Sequence, residues 1–201
     1  MCARYEVAFP PSWVQSHYAI GMAPHYEINH DARPTHSLPA IRLNEDGSGK
    51  EVALLKWGLI PGWAKDAKIA SHLINARGET VDRLPSFRAA FKRRRALIPA
   101  SAWYEWPIVA GKKVKHRVTI GDAEPFSLAG LWEVWRPEPD AQAIQTFTII
   151  TTAAPAGMEW VHNRAPCVIA LEHYDFWLDP RTETAKALLY PFEGRWQAVP
   201  A

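Results

Sequence analysis

Seventeen prolines are spread through the 201-residue chain, and they limit the architectures open to it. Proline has no backbone N–H and clashes with the preceding helical turn, so it ends helices and is confined to turns and strand edges. Between the prolines lie short apolar runs bounded by Gly, Pro or Asp, a pattern typical of strands. The sequence therefore predicts many short elements rather than long helices.

The most distinct strand pattern spans 40–43 and 51–57, which flank the turn-forming segment 44–49 and predict a hairpin. Further strands are predicted over 3–9, 25–30, 96–98, 102–106, 114–120, 126–135, 144–152 and 168–171, with a break at Pro99. Short helices are predicted over 12–18, 85–94, 172–178 and 182–189. Together they predict an α+β fold: a strand-rich single domain over residues 1–201, with a barrel-like, mostly antiparallel sheet flanked by short helices.

Composition excludes several functional classes. The formal charge of +2 is too small to diagnose a nucleic-acid binder by itself, and no apolar run approaches the length of a membrane span. Two cysteines form neither a disulfide framework nor a zinc site. We expect no metal, a reducing cytoplasmic location (at the nucleoid if the source is bacterial), and no secretion.

Cys2 has unusual chemistry if it becomes the first residue, as expected after aminopeptidase removal of Met1. Its α-amine, with a pKa near ~8, and its thiol, with a pKa near ~8.5, then lie on adjacent carbons. Together they can condense with an aldehyde, first to an imine and then to a five-membered thiazolidine. From its position alone, Cys2 is more simply interpreted as the second residue of a frayed terminus.

Three other segments place polar residues in apolar surroundings: 73–79, 101–106 and 162–166. Each has a simple structural interpretation when taken alone. Glu105 fits the solvent face of an alternating strand, Asn75 fits a turn, and Arg77 fits an ion pair with Glu79. A histidine such as His162 near a strand start is more often structural than catalytic.

The order of the motifs adds information that no single one carries: Cys-x-Arg at 2–4, Asn-Ala-Arg-x-Glu-Thr at 75–80, Ile-Pro-Ala-x-x-Trp-Tyr-Glu-Trp at 98–106 and His-Asn-Arg-x-Pro at 162–166. In this combination the chain resembles the SOS response-associated peptidase family, from residue 2 to about residue 178. Segments 22–24, 56–66 and 129–133 also match. Two departures, Ala3 for a usual glycine and Ala165 for a common methionine, concern the shape of the pocket.

The resemblance implies covalent capture of abasic sites in single-stranded DNA, which shields the damaged strand during an SOS-type response. Cys2 would form the thiazolidine with the aldehyde of the lesion. Asn75 would hold the terminal residue, and Glu105 would exchange protons with the terminal nitrogen, its pKa raised toward neutrality by Trp103 and Trp106. His162 would serve the sugar hydroxyl as acid or base and assist reversal of the cross-link.

The same resemblance implies DNA contacts without sequence preference. Arginines at Arg4, Arg77 and Arg164 would bind phosphates beside the lesion. Pro24, Trp63 and Trp106 would stack on bases or wedge at the lesion. We expect a monomer that needs no cofactor. Whether the basic segment 88–95 follows the DNA backbone or is a solvated helix face stays open.

Two alternative functions compete with this one. The first is an N-terminal-nucleophile cysteine peptidase, whose minimal activity would be removal of its own Met1. The second is a non-covalent module for single-stranded DNA in which Cys2 has no chemical role.

Overall fold

The computed structural model of the chain describes residues 2–201. The strands within that range are β1 (Tyr5–Val7), β2 (Asn29–Ala32), β3 (Ser37–Leu43), β4 (Lys50–Trp57), β5 (Asn75–Arg77), β6 (Arg95–Ala100), β7 (Ala102–Glu105), β8 (Ile108–Val109), β9 (Lys112–Lys113), β10 (His116–Ile120), β11 (Phe126–Trp135), β12 (Ile144–Ala153), β13 (Arg164–Pro166), β14 (Val168–Ile169) and β15 (Trp196–Pro200). The α-helices are short: α1 (Pro11–Tyr18), α2 (Arg88–Arg93) and α3 (Tyr174–Leu178). Short 3-10 helices cover Ala67–His72, Leu171–His173 and Ala185–Leu188.

Five strands close into a barrel. Neighbouring strands run in the order β12, β4, β3, β6, β11, and the pairing of β11 with β12 completes the ring. Within this ring β4 and β12 are parallel, while the other pairs are antiparallel. The predicted strand-rich, mostly antiparallel barrel with few short helices is confirmed.

Two strands that carry motifs, β5 and β13, pair with the C-terminal part of β12. β5 runs parallel to β12 along one edge, and β13 runs antiparallel to it along the other. Thr151 of β12 therefore lies between Arg77 of β5 and Pro166 of β13. Two segments more than eighty residues apart in sequence are joined in this way through a barrel strand.

A second antiparallel sheet has the order β15, β10, β7, β1, β2. The chain passes from the barrel into this sheet at Ser101, between β6 and β7. The Ser101 backbone N–H donates to the Glu6 carbonyl at 2.9 Å, and its hydroxyl accepts from the Ala8 N–H at 2.8 Å. This bonded corner sets the direction of β7, at whose end Glu105 lies.

Large side chains fill the space inside and around the barrel. Trp57, Leu97 and Phe147 are completely or almost completely buried. Gly130 of β11 lies where strands approach closely, because a Cβ there would come within 2.6 Å of the Ile98 side chain. Helix α3 packs on the outside, and the Trp177 indole N–H donates to the Ala96 carbonyl at 2.8 Å.

Several predicted boundaries are wrong. Pro99 does not break β6. At this residue β6 pairs only with Ser127 of β11, because the pairing with β3 is made at Leu97. On the β3 side Pro99 is therefore an edge residue, where its missing N–H is tolerated. Strand β2 begins at Asn29 rather than 25, and the short helix predicted over 182–189 is reduced to a 3-10 turn at Ala185–Leu188. No helix in the described part of the chain has the length and apolar character needed to cross a membrane.

The basic segment at 88–95 is divided by the fold. Arg95 is buried and donates to the main-chain carbonyls of Phe91, Trp177 and Asp179. Arg94 pairs with Glu133, Nη2 lying 2.6 Å from the carboxylate oxygen. The last two arginines of the segment therefore support the fold, and only its earlier members lie on the surface.

Candidate functional site

Cys2 is held at the junction between the two sheets. Its carbonyl accepts a 2.8 Å hydrogen bond from the Asn75 side-chain amide, and Asn75 is positioned by the pairing of β5 with Ile149 of β12. Cys2 is 1% exposed, and its thiol lies 3.7 Å from the Arg4 carbonyl. Burial raises the pKa of the thiol, and the nearby Glu105 carboxylate raises it further, so the neutral thiol is favoured.

Glu105 lies at the end of β7 and is 4% exposed. Burial raises the pKa of its carboxyl to about 7, in the predicted direction, although the Trp106 ring packs near Tyr104 rather than beside this carboxyl. Trp103, 1% exposed, lies two residues earlier and so faces the same side of the strand. The carboxyl thus divides between acid and carboxylate at neutral pH.

The opposite face of β7 is anchored by an ion-pair network. The Tyr104 hydroxyl donates to the buried Glu6 carboxylate, which also pairs with Arg117 at 2.8 Å. Because Tyr104 is adjacent to Glu105, this network holds the main chain that positions the carboxyl. The sequence alone offered no sign of this network, since Glu6 and Arg117 lie more than a hundred residues apart.

His162 is oriented by its own main chain. Its Nδ1 accepts a 2.9 Å hydrogen bond from the Arg164 backbone N–H. In the neutral ring the proton therefore lies on Nε2, which makes that nitrogen a donor. Burial lowers the pKa of His162, which favours this neutral form.

The arginines expected to bind phosphate lie on two sides of the site. Arg77 is exposed on β5, and Arg164 starts β13, so they lie on either side of Thr151. Arg164 is bonded to the Glu79 carboxylate and to the Thr151 carbonyl. The predicted alternative of an Arg77–Glu79 pair is therefore replaced by an Arg164–Glu79 pair.

Arg4 lies beside Trp106, its guanidinium carbon 5.4 Å from the ring centre, and it also pairs with Asp31 at 3.3 Å. Pro24 is half-buried in the loop before β2. Trp63 is 59% exposed, and its indole N–H donates to the Pro85 carbonyl, next to helix α2. Arg4 and Trp106 therefore contact each other, whereas Trp63 contacts the segment that precedes α2.

Two residues near Glu105 received no role from the sequence: His116 and Trp160. His116 is the direct cross-strand partner of Glu105, and its ring contacts Trp160 edge-on at 5.4 Å. A strand was predicted over 114–120, but only the register of β10 against β7 shows that His116 lies opposite Glu105. Among residues 2–201, no group of His, Cys, Asp and Glu side chains suits a metal ion.

Named proteins from a bacterium and from a vertebrate are similar to this chain in sequence. The Bacillus subtilis protein named abasic site processing protein YoqW is 36% identical over 173 residues, which cover 84% of this chain and 76% of the relative. The Xenopus tropicalis protein named abasic site processing protein HMCES is 27% identical over 183 residues, covering 79% of this chain and 55% of the relative.

Solved structures share the fold. A crystal structure of a Bordetella bronchiseptica protein matches with a TM-score of 0.83 at 26% identity, covering 100% of this chain and 99% of that one. A Bacteroides thetaiotaomicron protein matches with a TM-score of 0.86 at 24% identity, covering 99% and 91%. The family model described as SOS response associated peptidase (SRAP) matches residues 1–201. The chain therefore belongs to the SOS response associated peptidase family.

Proposed function

We propose that this protein binds abasic sites in single-stranded DNA and forms a covalent thiazolidine with them through Cys2. The names of the relatives support the lesion as ligand. The covalent step is supported chiefly by one observation: Asn75 binds the Cys2 carbonyl at 2.8 Å beside a buried carboxyl. The residue of a frayed terminus would not make such a hydrogen bond.

The reaction needs a free α-amine on Cys2, and hence removal of Met1, which lies outside the described residues. The neutral amine attacks C1′ of the ring-opened deoxyribose and forms a carbinolamine. Glu105, as the carboxylic acid, protonates the carbinolamine hydroxyl, which leaves as water, so an iminium forms and Glu105 becomes a carboxylate. A pKa of about 7 suits that donation at neutral pH.

Ring closure then uses the same carboxylate in reverse. The Cys2 sulfur attacks the iminium carbon, the C=N π electrons return to nitrogen, and the thiol proton passes to Glu105. The products are the thiazolidine and a regenerated carboxylic acid. Because burial raises the pKa of the thiol, closure through the S–H with a waiting base is favoured over attack by a preformed thiolate.

His162 contributes through Nε2, which carries the proton of the neutral ring because Nδ1 accepts from Arg164. We assign it to the sugar oxygen released on ring opening, to which it donates a hydrogen bond. The same hydrogen bond acts on that oxygen when the reaction runs backward, and so assists reversal of the cross-link. Asn75 holds the nucleophile in attack geometry, as a hydrogen-bonded clamp does in other enzymes.

The DNA path is assigned to the cationic side chains around this site. Arg4, Arg77 and Arg164 bind phosphates next to the lesion, and Trp106 stacks on a base beside Arg4. Pro24 and Trp63 extend the contact surface farther along the strand. One copy of the chain is sufficient for one lesion, and it shields the lesion from strand cleavage.

The peptidase alternative requires a thiolate nucleophile at neutral pH. The raised pKa of the Cys2 thiol argues against a preformed thiolate, since catalytic cysteines have lowered values. Removal of Met1 by the chain itself is a separate single-turnover activity. Mass measurement of wild-type and Cys2→Ala protein, both made in an extract whose methionine aminopeptidase is inhibited, tests it.

One assay separates the three functions. Purified protein is mixed with single-stranded DNA that contains one abasic site and is analysed by denaturing electrophoresis. We expect an adduct with wild-type protein and none with Cys2→Ala or Cys2→Ser, both of which retain the α-amine but lack the ring-closing sulfur. Equal adduct from Cys2→Ala refutes the mechanism, and peptide turnover without adduct supports the peptidase.

A further inference from the structure

Trp160 is a large apolar side chain kept at the surface by a rigid turn. It is 52% exposed, while Met158 and Val161 of the same turn are 1% and 4% exposed. The backbone N–H groups of Val161 and His162 both donate to the Met158 carbonyl, at 2.8 and 3.2 Å. The buried members therefore anchor the turn and leave the indole facing outward.

Trp160 contacts His116, which is the cross-strand neighbour of the proposed acid, Glu105. Its ring meets the His116 ring edge-on, with centres 5.4 Å apart, and His116 lies directly opposite Glu105 in the β10–β7 ladder. Directly opposite residues of an antiparallel pair project from the same face of a sheet. Trp160 therefore lies on the Glu105 face, while the Trp106 ring lies 6.5 Å from Tyr104, whose side chain projects from the other face.

We infer that Trp160 stacks on the base of a nucleotide adjacent to the abasic site. This inference rests on the proposed function, which makes single-stranded DNA the ligand. An exposed indole beside a reactive centre offers the flat apolar surface that every base can use. Glu159, exposed next to Trp160, repels phosphate and so favours contact with a base over contact with the backbone.

The test measures binding without cross-linking. Fluorescence anisotropy follows a single-stranded oligonucleotide whose lesion is tetrahydrofuran, which has no aldehyde. We expect Trp160→Ala to raise Kd about tenfold, within the range for loss of one stacked base, and Trp160→Phe to keep most of the affinity. Phe176→Ala is the matched control, since Phe176 is an aromatic residue on α3 that is 42% exposed, and its Kd should stay within twofold.

A second set of oligonucleotides identifies the contact. Each carries an additional tetrahydrofuran residue in place of the 5′ or the 3′ neighbour of the lesion. On one of the two, the difference between wild type and Trp160→Ala should fall below twofold, because the base that the indole contacts is missing. An equal tenfold loss on every oligonucleotide, or no loss on any, overturns the inference.

Folding and function are controlled separately. Trp160→Leu keeps apolar contact with His116 but lacks the aromatic face, so it should bind as weakly as the alanine variant while melting like wild type. If Trp160→Leu instead binds like wild type, stacking is refuted. Failure of wild type to cross-link a true abasic site refutes the proposed function, whereas base-dependent loss of binding still supports the role of Trp160.

Discussion

The guanidinium of Arg164 binds the Glu79 carboxylate across 85 residues of sequence, with Nη2 3.0 Å from Oε2. The same Nη2 lies 2.5 Å from the Thr151 carbonyl. The carboxylate lowers the local positive charge, while the carbonyl helps hold the fork in place. Glu79 is 52% exposed in its side chain and Arg164 is 15% exposed, so the pair lies at the surface of the site.

Replacing Glu79 by Gln should strengthen DNA binding. Arg164 keeps its bond to Thr151, and one negative charge beside the phosphate path is lost. We expect Kd for single-stranded DNA to fall a few-fold at low salt, with the gain shrinking as salt rises. Anisotropy titrations over a range of salt concentrations measure this. Weaker binding by Glu79→Gln would show instead that the carboxylate is needed to orient Arg164.

The cross-linking rate should report the ionisation of Glu105. Below pH 7 the carboxylic acid predominates and donates its proton; above about 7 it is progressively lost. The ratio of wild-type to Glu105→Gln rates should therefore be constant below pH 7. Above pH 7 it should decrease, approaching a tenfold decrease for each pH unit. The pKa of the α-amine is measured separately in each protein, and its titration is divided out of the ratio. A ratio that rises above pH 7 would assign Glu105 the role of base and refute this step.

Glu105 should also lower stability at alkaline pH. Its pKa is raised from 4.5 to about 7 by folding, so its stabilising contribution is complete below 4.5 and is lost as pH rises through 7. Relative to wild type, Glu105→Gln should gain about 2 kcal/mol in free energy of unfolding between pH 5 and pH 8. Urea titrations at the two pH values measure the change. A constant difference between the proteins would contradict it.

Arg95 should matter for folding rather than for DNA. Its side chain binds the carbonyls of Phe91, Trp177 and Asp179, which join the end of α2 to the end of α3. Arg95→Ala leaves these carbonyls without their donor and should lower the free energy of unfolding by roughly 3 kcal/mol. Arg93→Ala, at an exposed position of the same helix, is the control and should change stability by less than about 0.5 kcal/mol. Thermal and urea unfolding of both variants decide the matter.

The sequence predicts the elements whose pattern is local. The hairpin of β3 and β4 and the long strand β11 are recovered because alternation and turn residues determine them within a few positions. Pro99 misleads, because its tolerance depends on which neighbours flank β6 at that residue. β15 is missed because it is an edge strand that acquires its character only from pairing with β10.

For the site, the motifs identify Cys2, Asn75 and Glu105, and the structure contains a bond between the first two. The motifs do not reveal the partner of Arg164, since pairing with Glu79 requires β5 and β13 to lie on opposite edges of β12. Trp160 escapes for a similar reason. Its relation to Glu105 passes through His116, which only the register of two strands brings opposite.

Strand β12 has a consequence for how the protein meets its ligand. It closes the barrel with β11 and, farther along, carries β5 on one edge and β13 on the other. The segments bearing Asn75 and Arg164 are thus held by backbone pairing to a strand that also forms the barrel wall. Under the proposed function, a flexible single strand would adapt to this surface more readily than a stiff duplex.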